Sequence, residues 1–480
     1  MAQVALGEIY PSERKTTSFN VRRASALQLY HDSEECDDAS AEKRFKYAES
    51  ISGPFEEQTK HWNNFLKTYP QIGRVFDPQK YSPRNGMGDS VEFEDIVEER
   101  RETEDSLRYT LMKWKNVYET KTTEAARKDY GDDIHLRTGR LQSLYRTLRT
   151  GASRVAGATG ANVKILPKVV VDKLQKLVRN GVPPALRGKV WQLCTGSGLK
   201  REEAAELGQS YEALNHSIRT NIDIFPSQSW IDIDKDVRRT VLLLADNKEY
   251  PDEYRPCLQR VLVAYALRNP ELGYCQGMST LVALLLLHMG EEDAFWVLSA
   301  IVEDMMPRFY ATDMGGIKAE ASTFEFLFRT YLPKLHSRIS PLGVPVKPFA
   351  IKWFLCLYVN SLSVSIALRV WDCFFYEGVK VLHRVGLAAL SLQQKSILSS
   401  EANFSTVYES LDRSTMECKD VEKLMKASYG PLFTGKNFSS KLLLKVRRHV
   451  LKHDTDFFEG KTADEVDRDA LEKMSCASPS

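Results

Sequence analysis

The sequence predicts an all-α protein, on three observations. From about residue 170, apolar residues recur at intervals of three and four, as in Val171, Leu174, Leu177 and Val178, then in Leu258, Val261, Leu262 and Tyr265. That is the period of a helix with one buried face. The two-residue alternation of half-buried strands, bounded by hairpin dipeptides, is nearly absent. Helix punctuation is frequent: Asn180-Gly181 closes one segment, Pro183 or Pro184 opens the next, Arg255-Pro256 starts another and Asn269-Pro270 stops it.

The elements follow in order. Residues 1–90 are mixed and polar and read as a weakly ordered region, with a short amphipathic helix around Phe55–Leu66. Residues 91–150 read as a helical segment whose role the sequence leaves open, because Leu107, Leu111, Trp114 and Tyr118 share one helical face. The small-residue run that follows makes 151–165 a flexible linker. A helical domain is expected over 170–435, preceded by this partly helical, partly disordered N-terminal region. Residues 436–480 read as a basic amphipathic helix (441–452) and a charged tail, the helix's basic stripe a solvated face or else a lipid- or partner-binding one.

Composition narrows the function classes. At 480 residues the chain can bury a large core, and its 43% hydrophobic content is ordinary for globular protein. A net charge of +2, from 66 basic and 64 acidic residues, gives no overall pull toward nucleic acid, which is not an expected partner. Eight scattered cysteines with no CxxC pair argue against a disulfide framework or a zinc site, and no metal ligand set is expected. The start lacks the pattern of a signal peptide, and no apolar run is long enough to read as a membrane span.

Four segments carry the chemistry. In RNGVPPALRGKVW (179–191), Trp191 falls on the buried face of a helix opened by the prolines, and a helix-turn-helix corner holding a core tryptophan accounts for it. In IDKDVRRT (233–240), Ile233 and Val237 share the buried face, while Asp236 lies three before Arg239. That spacing suits an ordinary surface ion pair. Alternatively, Asp236 holds the local structure while Arg239, with Arg238 as competing candidate, points outward to phosphates. The loop GYCQGM (273–278) feeds an apolar helix over Met278–Met289, putting Gln276 at a helix N-terminus, where an anion is favoured, or else it is simply a glycine-permitted turn with its glutamine solvated. In RVWDCFFYEG (369–378) a buried aromatic helix ends at Gly378, with Arg369 and Asp372 spaced to pair at its edge. One decoy, GPLFTGKN (430–437), fits a phosphate-loop spacing but has Asn437 where a magnesium-binding hydroxyl belongs, and follows a helix rather than a strand. An arginine can neutralise a transferring phosphoryl group and a glutamine amide can hold an attacking water, the two parts a slow GTPase most often lacks.

In this order and at these intervals the four segments resemble the TBC domain of Rab GTPase-activating proteins, over about 175–400. The resemblance implies an all-α TBC domain within 170–435 that binds a GTP-loaded Rab and supplies both catalytic groups in trans, thereby regulating vesicle traffic. Arg239 falls at the family's arginine-finger position and Gln276 at its glutamine-finger position. Ile233, Asp236 and Thr240 accompany the first, and Tyr274 and Gly277 the second. Arg179, Gly181, Pro183, Arg187, Trp191, Arg369, Trp371 and Asp372 match structural motif positions. The proline usual soon after the family's Arg-Thr is missing from Val241-Leu-Leu-Leu. The resemblance further implies no cofactor of the chain's own, GTP and Mg²⁺ being carried by the partner. It also implies a cytoplasmic protein transiently at Rab-bearing endomembranes, with membrane or adaptor contact through the N-terminal region or the 441–452 helix. A non-catalytic adaptor is the competing class; loss of either finger would be its sign, and both are present.

Overall fold

The computed structural model describes residues 46–52, 55–69, 168–220, 227–244, 254–311, 313–399, 403–433 and 438–457. The helical segment expected over 91–150, the linker over 151–165 and the tail beyond 457 lie outside them. All regular elements among the described residues are helical. They are α1 (46–52), α2 (Glu56–Thr68), α3 (Lys168–Asn180), α4 (Pro184–Thr195), α5 (Ser197–Glu206), α6 (Tyr211–Thr220), α7 (Ser227–Leu244), α8 (Tyr254–Arg268) and α9 (Met278–Leu286). There follow α10 (Glu291–Ala300), α11 (Gly315–Tyr331), α12 (Pro333–Ile339), α13 (Lys347–Leu355), α14 (Val364–Glu377), α15 (Lys380–Ser399), α16 (Phe404–Arg413), α17 (Val421–Ser428) and α18 (Ser440–Phe457). A π turn, Ile301–Met305, extends α10. No helix among them is long and apolar enough to cross a membrane.

Every residue of α9 is buried, in keeping with a sequence that is apolar apart from Ser279 and Thr280. It sits among α7, α8 and α10, while α11, α13, α15, α17 and α18 build the other half of the packing. α14 joins the two halves, lying against α3 and α4 on one side and α15 on the other. The helix starting at Met278 ends at Leu286 rather than at Met289, the chain turning through Leu287 and His288.

The helix expected around 55–66 is present as α2, and it is docked: Trp62, Phe65 and Leu66 are buried, and Trp62 Nε1 donates to Gly181 O at 3.0 Å. At the other end α18 packs on α11 with Leu443, Val446 and Val450 buried. The packed unit therefore extends past 170–435 on both sides. The basic stripe of α18 is only partly solvated, since Arg447 Nε meets Glu320 at 2.5 Å. Among the described residues Cys194, Cys275, Cys356, Cys373 and Cys418 are free thiols, whereas Cys257 is disulfide-bonded, which the cysteine spacing does not predict.

Candidate functional site

α7 is held by Ile233, Val237 and Thr240, all buried, which leaves the opposite face to charge. Arg238 reaches back to Asp234 at 3.0 Å, and Arg239 Nη1 donates to Asp236 at 3.4 Å. Arg239 is 68% exposed, so this contact orients the guanidinium without burying it and is worth at most a few tenths of a kcal/mol to stability.

The loop after α8 is fixed at both ends. Gly273 N–H closes on Asn269 O at 2.8 Å, with φ +62. Gly277, at φ +101, caps α9 against the end of α13, where a Cβ would stand 3.3 Å from both Cys356 Sγ and Leu355 Cγ. Between them Tyr274 donates its hydroxyl to Asp236 Oδ2 at 2.8 Å, while Gln276 stays exposed. Burial pushes the Tyr274 phenol up, and Asp236 beside it adds to that, so it remains a neutral donor. Asp236 thus accepts from both segments, one oxygen toward Arg239 and the other toward the glutamine loop. Asp236 forms the local ion pair with Arg239 and also holds Tyr274, a partner from another element. Arg238 has no such tie to the loop among the described contacts.

The remaining motif residues gather elsewhere, around Asp372. Its carboxylate accepts from Val182 N–H at 3.0 Å, Trp191 Nε1 at 3.0 Å and Arg187 Nε at 3.2 Å, with both charged side chains fully buried. Burial pushes Asp372 up and Arg187 down, and their mutual attraction opposes both shifts. The expected pairing of Arg369 with Asp372 is not formed. Arg369 donates to Arg179 O at 2.9 Å and to Glu422 at 3.2 Å, and Arg369 and Asp372 themselves sit in the interior rather than at a helix edge. Its guanidinium fills the space a side chain at Gly181 would need, 2.7 Å from that Cβ position, where φ is +113. Pro183 is the N-cap of α4, Trp191 packs on Trp371 and Phe375, and Trp371 Nε1 donates to Leu357 O at 3.0 Å. This cluster is a buried keystone of α3, α4 and α14.

Sequence reading missed four contributors. Ser279 bonds Thr240 at 2.8 Å; its signal was a pair of hydroxyl residues, Ser279-Thr280, opening an otherwise apolar run. Cys356 and Leu355, which seat Gly277, carry no local signal. Neither does Ser52, whose Oγ accepts from Arg187 at 2.8 Å.

Residues 184–398 match the family model of the Rab-GTPase-TBC domain. The chain is 32% identical over 255 residues to human small G protein signaling modulator 3, covering 53% of this chain and 33% of that protein. It is 34% identical over 265 residues to human TBC1 domain family member 2B, covering 54% of this chain and 27% of that one. It spans about a third or less of the length of these curated relatives. Among solved structures, the Chlamydomonas flagellar RabGAP TBC domain aligns with a TM-score of 0.47 at 26% identity, covering 64% of this chain and 95% of that one.

Proposed function

We propose, for a chain that belongs to the TBC-domain family through residues 184–398, that it accelerates GTP hydrolysis by a GTP-bound Rab, supplying Arg239 and Gln276 in trans. The observation that carries this reading is one carboxylate, Asp236, bonded both to Arg239 and to the tyrosine two residues before Gln276. One carboxylate thus ties together an exposed cation on α7 and the loop that carries an exposed amide ahead of α9.

The chemistry follows from the side chains. Hydrolysis passes through a loose transition state with negative charge spread over phosphoryl oxygens. Arg239, with five donors in a planar fork, neutralises that charge as it develops; Gln276 accepts from and donates to the attacking water and holds it in line. The chain needs no cofactor of its own, since GTP and Mg²⁺ arrive on the partner. An arginine finger is worth about 10³–10⁵ in rate, which at ~1.4 kcal/mol per decade is roughly 4–7 kcal/mol of barrier.

Single-turnover GTP hydrolysis across a panel of GTP-loaded Rabs tests this, with wild type, Arg239→Ala, Arg239→Lys and Gln276→Ala side by side. Acceleration of one or a few Rabs is expected, lost in all three variants. Acceleration of none, or variants equal to wild type, would leave a non-catalytic adaptor in its place. The same reading makes the protein a regulator of vesicle traffic, cytoplasmic and transiently at Rab-bearing endomembranes, touching membrane or adaptor through the N-terminal region or the 441–452 helix. Fractionation should find a membrane-bound share that shrinks when either segment is removed; an unchanged share would sink that contact.

A further inference from the structure

Two buried hydroxyls lie directly behind the exposed pair. Thr240 follows Arg239 and is 3% exposed; Ser279, the second residue of α9, is 2% exposed. Their oxygens are 2.8 Å apart. Among the described residues several buried helical hydroxyls bond inside their own helix. Thr195, Ser299, Thr323 and Ser428 each donate to the carbonyl four residues back. Thr240 is mid-helix and has that option too, yet its bond crosses to another element.

α7 and α9 pack on each other, and apolar residues of both helices, among them Ile233, Val237, Met278 and Leu281, are buried. Apolar burial is non-directional and tolerates a small slide of one helix over another. A hydroxyl pair does not, because its strength falls steeply with distance and angle and no water can replace a lost partner in so dry a place. Ser279 also lies beside the Tyr274 phenol, the other end of the tie to Asp236. The two segments are therefore pinned twice, at the surface by Asp236 with Tyr274 and in the interior by Thr240 with Ser279.

We propose that Ser279 is a positioning residue which, through Thr240, sets the register of the arginine-bearing helix against the glutamine-bearing loop. This rests on the reading of the chain as a Rab activator and says how its two fingers are held at one spacing.

The test uses the full chain with Thr240→Val, Ser279→Ala, their double variant and Thr240→Ser, read in two ways. Amide hydrogen exchange over residues 273–277 needs no Rab. It should quicken in both single variants and in the double, and stay at the wild-type rate in Thr240→Ser. Single-turnover hydrolysis should show a maximal rate lower by roughly 10–100-fold in the same three variants, the half-saturating concentration unchanged, with Thr240→Ser close to wild type. The double variant leaves no orphaned hydroxyl, so its urea midpoint should recover toward wild type while its rate does not. A double variant that regains rate together with stability, or loop exchange unmoved in all variants, overturns the proposal. If the wild type accelerates no Rab, the activator reading fails alone, and the exchange experiment still decides whether Ser279 and Thr240 hold the loop.

Discussion

Gly277 concentrates several constraints in one residue. Its φ of +101 lies in the left-handed region, and a methyl group there would press on Cys356 Sγ and Leu355 Cγ at 3.3 Å. An L-residue in that conformation costs roughly 1–2 kcal/mol, and the cheapest relief is a shift of the backbone that carries Gln276. Gly277→Ala should therefore lower stability by about that amount and bring single-turnover rates down toward those of Gln276→Ala. A variant that unfolds earlier in urea but hydrolyses at the wild-type rate would show that the loop relaxes elsewhere. This glycine was legible in the sequence, since Gly-bounded turns feeding an apolar helix have a known chemistry. The partner of Asp236 was half legible: Arg239 lies three residues on, but Tyr274 comes from another element. Asp372 was misread for the same reason. Local spacing offered Arg369, whereas the carboxylate turned to Arg187, Trp191 and the Val182 amide, partners that only the packing of α4 on α14 brings near.

At the scale of elements, helices with a strong apolar stripe were visible from their period, but the surface each one meets was not. α2 illustrates it. Its amphipathic pattern announces a helix, yet nothing local says that Trp62 will be 1% exposed and bonded to Gly181 O, beside an Arg187 that also takes Ser52 and the face of Phe55. The N-terminal helices thus complete the surroundings of a fully buried guanidinium. Trp62→Ala should cost about 3–5 kcal/mol, the range for deleting a large buried aromatic, read from the urea midpoint of the full chain. A loss under about 1 kcal/mol would mean that α2 is a detachable decoration rather than part of the core. α18 follows the same logic: its basic stripe reads as solvated, but Glu320 waits on α11 for Arg447.

For the molecule as a whole, buried titratable groups set the pH range in which the corner formed by α7 and α9 can be held. His383 is fully buried and His288 half-buried with both ring nitrogens enclosed, and both are lowered below the usual imidazole range, by burial first; the Arg187 charge adds to this for His288, and Glu320 partly offsets it for His383. Each therefore takes up its proton less readily when folded than in the unfolded chain, where imidazoles protonate near pH 6.5. The unfolded state then binds more protons, so stability falls as pH drops below about 6.5, by up to ~1.4 kcal/mol per pH unit for each histidine. Glu320 and Glu377 act lower down. Burial alone would raise them, but Arg447 and His383 around the first, and Lys380, Arg179 and Arg384 around the second, hold both at about 2. Their contribution is present above the unfolded value near 4.3 and disappears as pH falls from there toward 2. Urea midpoints should accordingly be flat above pH 7, decline gently from 6.5 to 5, and drop sharply below about 4.3. His288→Asn should flatten the middle part of that curve while leaving the acid limb in place. A wild-type midpoint constant from pH 8 to 5 would mean that the interior admits a charged imidazole beside Arg187, and the packing around Trp191 would have to open to allow it.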